Sequence, residues 1–307
     1  MRVHLTTAVG GYVKVLPHML RHYRALGVDS FFVHVNLLDD DDPILDEVRA
    51  VCDVSSVSVG GRLWRGNPDV HRAVMARHPD DWFIVADQDE LQVYPGMPSP
   101  GLRPPSPAPA GEGHLMSLLP LAGEGRPERS EGLDEGPPSL AHLFESCNRR
   151  GYDFIEGTLV DRLAPGGVFG EVDPRAEIWA QFPLTALVTA SLLGGEPRKV
   201  VAAKGSVALH GGQHGAEGGR GCPLQECHVA VHHFKWTAGI VERLRARLDL
   251  LRERGLPFTE ESERFLRYVA EHGEAIDLRD PRFFAGAVDM ATLRDVSDAQ
   301  RLAVLTS

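Results

Sequence analysis

The sequence predicts an α/β fold: an open, mostly parallel sheet with helices on both faces, closed by further helices at the C-terminal end. Two observations support this. Strand-like and helix-like segments alternate through the first hundred residues, and the fourth strand-like segment, "WFIVA" (82–86), is apolar at every position, as expected of a strand covered on both sides.

The elements follow in order. "RVHLTTAV" reads as a strand, after which Leu16, Met19, Leu20, Tyr23 and Leu26 recur at helical spacing up to Gly27, a residue suited to a left-handed cap. "SFFVHVN" is a second strand, "PILDEVRAV" a short helix begun by Pro43, and "DVSSVSV" a third strand. "NPDVHRAVMARH" predicts a helix with Asn67 as N-cap and Pro68 at its first position, leading into "WFIVA". Residues 1–95 thus form one β-α-β-α-β-α-β half.

From 96 to 138 proline, glycine, serine and glutamate dominate, and "AGEG" occurs twice. Such a stretch buries too little apolar surface to offset its ordering entropy, which predicts a disordered, low-complexity insertion. Order resumes over 139–238. This part contains a helix near Leu140 to Arg149, the strand "YDFIEGTLVDRL", a helical stretch from Pro183 to Leu193, and "KVVAAKGSVAL". Over 239–307 an amphipathic helix places Ile240, Leu244, Leu248 and Leu251 on one face and ends at Gly255, and a helical hairpin closes the chain.

Acids exceed bases by 43 to 32, a net charge of −11, and the basic residues are scattered. That argues against a nucleic-acid backbone or anionic lipid as the main partner and favours a small-molecule substrate. The N-terminus lacks the apolar core of a signal peptide, and the longest apolar stretch, Phe182 to Gly195, is too short to span a bilayer. The expected location is cytoplasmic, with peripheral attachment at the inner membrane as an option. Four cysteines make a disulfide framework unexpected.

The strand "WFIVA" runs straight into Asp87, Asp89 and Glu90, three acids in "DQDE". Adjacent carboxylates repel and lose hydration near a core, so they point either to a cation or to a solvated turn. In doubly wound sheets ligands bind beyond the carboxyl ends of the strands. Asn36, Asp39 to Asp42 and Asp87 to Glu90 should therefore meet at one rim.

The β-α-β half, "HMLRHYRALGVDSFFVHVN", "DWFIVADQDELQVYP" and a late "HHFKW" before an amphipathic helix together resemble the family-2-type glycosyltransferases, whose fold is the Rossmann-like GT-A fold. The resemblance covers most of the chain outside the insertion. It implies inverting transfer of a sugar from a nucleotide-sugar donor to a glycan, polysaccharide or lipid-linked acceptor, with Mn²⁺ or Mg²⁺ bridging the acids and the donor diphosphate. On this reading 1–95 binds the nucleotide-sugar and 139–238 holds the acceptor and metal. Asp87 faces the nucleotide and also the metal, Asp89 is the direct ligand, and His214 in "GGQH" and His233 in "HHFKW" complete the site. Hard cations prefer such oxygen-rich sites and neutralise charge on a leaving diphosphate. Two departures stand out. Relatives usually carry Asn-Glu early on the first strand loop, where this chain has "AVGGYVK". The second strand ends in "VHVN" where aspartate is commoner, leaving Asn36 to meet the base or ribose.

Other candidates have plainer alternatives. Lys199, Lys204 and Lys235 could meet donor phosphates, or simply be solvated. Trp64 and Trp236 offer stacking faces, or core packing. Asp161, Glu171 and Asp173 are candidates for the general base that takes the acceptor proton, or surface carboxylates. The late histidines admit three readings: donor site, loop capping, or a structural zinc held by Cys222, Cys227 and two histidines in a zinc-stabilised interaction domain. A non-catalytic nucleotide- or sugar-binding relative is the further alternative, suggested by the missing Asn-Glu.

The insertion yields the first test. Deleting 98–137 should leave the melting temperature nearly unchanged in a thermal-denaturation comparison, and a loss of many degrees would show that it packs on the core.

Overall fold

The structure is a computed structural model, which describes residues 1–60, 67–95, 97, 139–257 and 259–283. Trp64, nearly all of the 96–138 insertion and the chain after Phe283 lie outside the described residues.

The strands are β1 (Val3–Val9), β2 (Ser30–Leu37), β3 (Ser56–Val59), β4 (Trp82–Val85), β5 (Glu90–Val93), β6 (Phe154–Leu163), β7 (Leu184–Ala186), β8 (Arg198–Lys204), β9 (Ala208–Leu209), β10 (Ala216–Glu217) and β11 (Val229–His233). The helices are α1 (Leu16–Ala25), α2 (Ile44–Arg49), α3 (Asn67–Met75), α4 (Leu140–Arg149), α5 (Ile178–Gln181), α6 (Ile240–Glu253) and α7 (Thr259–His272). Among the described residues one nine-stranded sheet runs β3-β2-β1-β4-β8-β6-β11-β5, with β7 paired to β6. β1 to β4, β6 and β11 point one way, whereas β5, β7 and β8 run against them. This is the expected α/β class, with a parallel first half and a mixed second half.

Alternation along β4 explains the two-sided cover. Trp82 and Ile84 pack with Leu16, Met19 and Tyr23 of α1, Val48 of α2 and Phe144 of α4, while Phe83 and Val85 pack with Met75 of α3 and Val200 of β8. A separate cluster joins α6 and α7 through Leu244, Phe265 and Tyr268 to Trp236. Among the described residues no helix is long and apolar enough to cross a membrane.

Two elements differ from expectation. The stretch Pro183 to Leu193 is not one helix: β7 pairs antiparallel with β6, and a single wide turn follows at Thr189–Leu193. The Asp161 carboxylate accepts the Thr189 backbone N–H at 2.6 Å and its hydroxyl at 2.7 Å, so a buried acid, not a preceding helical turn, fixes where the turn begins. The residues after the acids form β5, which doubles back onto β11. Tyr94 and Gln92 are buried there and bonded to each other at 2.7 Å, giving "ELQV" its core contacts.

Gly157 lies on β6 between β8 and β11, and a Cβ there would come within 2.6 Å of the Val229 carbonyl and 2.8 Å of Val201 Cγ1. Gly157→Ala should cost roughly 1–3 kcal/mol of stability, the usual penalty for overpacking. Urea denaturation checks it, and an unchanged midpoint would contradict this packing.

Candidate active site

The turn after β4 is built by its own acids. The Glu90 N–H donates to the Asp87 carbonyl at 3.0 Å, and the Asp87 N–H donates to Glu90 Oε2 at 3.1 Å. Between them Gln88 clamps the first loop: its Oε1 accepts the Gly10 N–H at 2.9 Å, and its amide donates to the Gly10 carbonyl at 2.9 Å and the Tyr12 carbonyl at 2.6 Å. The loop "AVGGYVK", which lacks Asn-Glu, is therefore held by the middle residue of the acidic turn.

The compensating charge is Lys199. Its ammonium lies 2.8 Å from Asp87 Oδ2 and 2.6 Å from Glu90 Oε1, with Lys199 and Glu90 side chains 5% and 2% exposed and Asp87 41% exposed. Burial works against the Asp87 carboxylate, but Lys199 outweighs it and brings the carboxyl down to about 2. Burial together with the Asp87 charge keeps the Glu90 carboxyl above its usual range despite Lys199. Lys199 is itself held above the ordinary lysine value, because the two carboxylates outweigh its desolvation. The amide of Gln213 adds a contact of 3.3 Å to Asp87 Oδ1. Gln213 has φ +64, the one non-glycine residue with positive φ among those described. Nothing in "GGQH" marks this residue in the sequence.

His233 is placed by register. On β11 it lies opposite Asp161 of β6 and Glu90 of β5. Its Nδ1 lies 3.0 Å from Asp161 Oδ1, and its Nε2 points at Asp89 Oδ2, 3.6 Å away. Burial lowers the basicity of this imidazole, yet Asp89 and Asp161 outweigh burial and raise it above the ordinary histidine value. With Nδ1–H donated to Asp161, the Nε2 lone pair faces a carboxylate, a pairing that needs a cation between them: a proton, or a metal. A carboxylate bonded to the outer nitrogen of a histidine is also the usual support for a metal-ligating imidazole. Asp89 and His233 are thus two residues that could hold a divalent cation.

The neighbouring His232 projects to the opposite face, edge-on to Trp179 at 4.9 Å, and burial pushes it down to about 3. Lys235 is half-buried; burial lowers its basicity, and the charges of Asp89 and Asp161 act on it from the same rim.

Several expected residues are placed elsewhere. Asp161 is 1% exposed and accepts from Thr189, His233 and Trp236 Nε1, the last at 2.8 Å, so it has no access to an acceptor hydroxyl and instead orients His233. Trp236 is correspondingly buried and offers no stacking face. Lys204 pairs with Asp153 at 2.8 Å, at the end of the sheet where β4 begins, because β8 runs antiparallel to β4 and brings Lys199 to the rim in its place. Asn36 is buried, its Oδ1 accepting from Ser58 Oγ at 2.8 Å. His214 is exposed and bonds to the Arg198 carbonyl at 2.7 Å. Asp173 caps a turn with the Arg175 N–H at 2.8 Å. Glu171 is exposed, and its charge acts on Tyr12 and Arg243, the second of which also senses Asp89. Asp42 caps α2 through the Ile44 N–H at 3.1 Å.

The zinc arrangement of Cys222, Cys227 and two histidines does not assemble among the described residues. His228 bonds to Thr158 at 2.9 Å, and the cysteines are buried, with burial pushing Cys227 up to about 12.

No protein-family profile matches the chain, and a search of curated proteins returns no match. Among solved structures the chain is similar to one titled "Crystal structure of S. aureus TarS", at 9% identity and a TM-score of 0.31, over 89% of this chain and 43% of that one. The chain thus spans less than half the length of that structure, and a likeness this distant bears on neither fold nor activity.

Lys199→Met removes the only charge bonded to buried Glu90 among the described contacts and should cost roughly 3–5 kcal/mol at neutral pH. The Asp87 carboxyl sits below its unfolded value of about 3.9, so its stabilising share is present above about pH 4 and is lost as pH falls through about 2. The gap between wild type and variant should therefore be widest near neutrality and narrow below pH 4. Denaturant titrations across that range check it, and a gap independent of pH would contradict the ion pair.

Proposed function

We propose that the chain is a metal-dependent glycosyltransferase acting on a nucleotide-sugar donor. The observation that supports this is the convergence at one carboxyl rim of Asp89 from the turn after β4 and His233 from β11, the imidazole anchored from behind by Asp161. Asp89 and His233 would hold Mn²⁺ or Mg²⁺, which when bound would neutralise charge on the departing diphosphate. Lys235 adds positive charge on the same side. Asp87 stays with Lys199 and Gln213 and presents its exposed edge to the nucleotide. Of the three carboxylates considered as general base, Asp161 is buried and Asp173 caps a turn, so the role falls to Glu171, which is exposed and whose charge acts on Tyr12 and Arg243. Gln88 holds the loop from Gly10 to Tyr12 beside the acidic turn, where it would border the nucleotide.

A second reading is favoured by Lys199. An ammonium already bonded to Asp87 and Glu90 makes these two acids poorer metal ligands, as in a non-catalytic nucleotide- or sugar-binding relative. Turnover of a nucleotide-sugar by the purified chain with Mn²⁺ separates the two, since a binding relative shows thermal stabilisation by nucleoside diphosphate without turnover.

Asp89→Asn and His233→Ala should each abolish Mn²⁺-dependent stabilisation by nucleoside diphosphates and cut turnover at least tenfold, whereas His232→Ala should act mainly on stability. Side-by-side kinetics and melting curves check this, and the reverse ranking of the two histidines would overturn the assignment. Protonated His233 cannot take a metal and its basicity is raised, so activity should fall on acidification from above about pH 6.5, the ordinary histidine value. A pH–rate profile flat from 6 to 8 would contradict this.

A further inference from the structure

We propose a second metal site at the opposite end of the sheet, formed by His4, His78 and Asp81 and suited to a borderline-soft divalent ion such as Zn²⁺. His4 is the second residue of β1, and His78 and Asp81 flank the turn that leads from α3 into β4. Among the described residues these are the one group of three or more His, Cys, Asp or Glu side chains whose potential ligand atoms all lie within 4.8 Å of one another.

The spacing suits a small ion. His4 Nε2 is 3.1 Å from Asp81 Oδ2, and His78 Nδ1 is 3.8 Å from the same oxygen. With metal–ligand bonds of about 2.0–2.2 Å, a tetrahedral ion holds its ligand atoms about 3.3 Å apart, between these two values. Two imidazoles and one carboxylate select the zinc class over Mg²⁺ or Ca²⁺, and three protein ligands leave a fourth position for water. The ion takes the place of the proton shared by His4 and Asp81.

The ligands are held before any ion arrives. The Arg2 N–H donates to Asp81 Oδ1 at 2.8 Å, leaving Oδ2 to face the histidines, and the Asp81 N–H donates to the His78 carbonyl at 3.2 Å. Gly205 donates its N–H to the Asp81 carbonyl at 3.0 Å and packs so closely on the turn that a Cβ would strike the carbonyls of His78 and Met75. The rings of His4 and His78 lie 5.0 Å apart and both rest against Phe83 and Phe32. Asp81 and His78 are 21% and 34% exposed, which gives an ion its entry path, while His4 is 1% exposed. His4 Nδ1 is buried without a hydrogen-bond partner, so the site lacks the outer contact that typically strengthens metal binding 10–100-fold and should bind that much more weakly than a fully supported one.

The experiment titrates the full chain with Co²⁺ and then Zn²⁺, following visible absorption and melting temperature. One equivalent of Co²⁺ should give the intense visible bands of a four-coordinate ion without a thiolate charge-transfer band. Zn²⁺ should displace it and raise the melting temperature. Both effects should persist in Asp89→Asn/His233→Ala and vanish in His78→Ala, whose substituted side chain is partly exposed and whose fold circular dichroism can verify; Asp81→Asn should match His78→Ala. Bands that survive His78→Ala, bands that disappear with Asp89→Asn/His233→Ala, a thiolate band, or no four-coordinate spectrum at all would each overturn the site.

Discussion

A buried ammonium shared by two carboxylates sets the shape of the rim. β4 leaves the core into three acids, and without a counter-charge that turn would separate, because Glu90 has almost no contact with water. Lys199 supplies the charge from the adjacent strand β8, which passes beside β4 in the opposite direction. The chain can then reverse within four residues and lay β5 against β11, and this reversal brings Glu90 opposite His233. Leaving either acid without its ammonium is far costlier than the ion pair is beneficial, so the arrangement specifies geometry more than it adds stability.

With Asp87 and Glu90 satisfied, the acid left with an unmet demand is Asp89. Its partner His233 is fixed by Asp161, which is fixed in turn by the backbone and hydroxyl of Thr189 and the indole of Trp236. Each of these groups comes from a different element, and the register of β6 with β11 aligns them. The result is a carboxylate and an imidazole aimed at each other across 3.6 Å, at the edge of the protein and close to further positive charge from Lys235.

Much of the fold was legible in the sequence because apolar periodicity reports burial directly. "WFIVA" announced a two-sided strand, and Leu16, Met19, Leu20 and Tyr23 announced the face of α1 that covers it. Two-residue alternation in "VAVHHF" puts His232 and His233 on opposite faces of a strand, without saying which of them meets the acids. What the sequence concealed depends on strand direction and on contacts between distant segments. Lys199 and Lys204 look equivalent in "RKVVAAKG", and only the reversed course of β8 sends the first to the rim and the second to Asp153. Asp161 reads as one more carboxylate until Thr189, some thirty positions on in sequence, closes over it. β5 was hidden because the acids before it look like the end of a strand, whereas they form the turn between two. The basal group of His4, His78 and Asp81 escaped for the same reason, His4 being separated from the other two by three helices, α1 to α3, and by β2 and β3.

On the proposed function, Lys199 neutralises Asp87 and Glu90 and leaves Asp89 with His233 to take a cation. The most direct measurement is an anomalous difference map from crystals soaked with Mn²⁺ and a nucleoside diphosphate. A rim peak bonded to the Asp89 carboxylate and His233 Nε2 is expected, with the Lys199 ammonium still on Asp87 and Glu90. A peak on Asp87 with Lys199 displaced, or nucleotide bound at the rim with no metal peak, would contradict it.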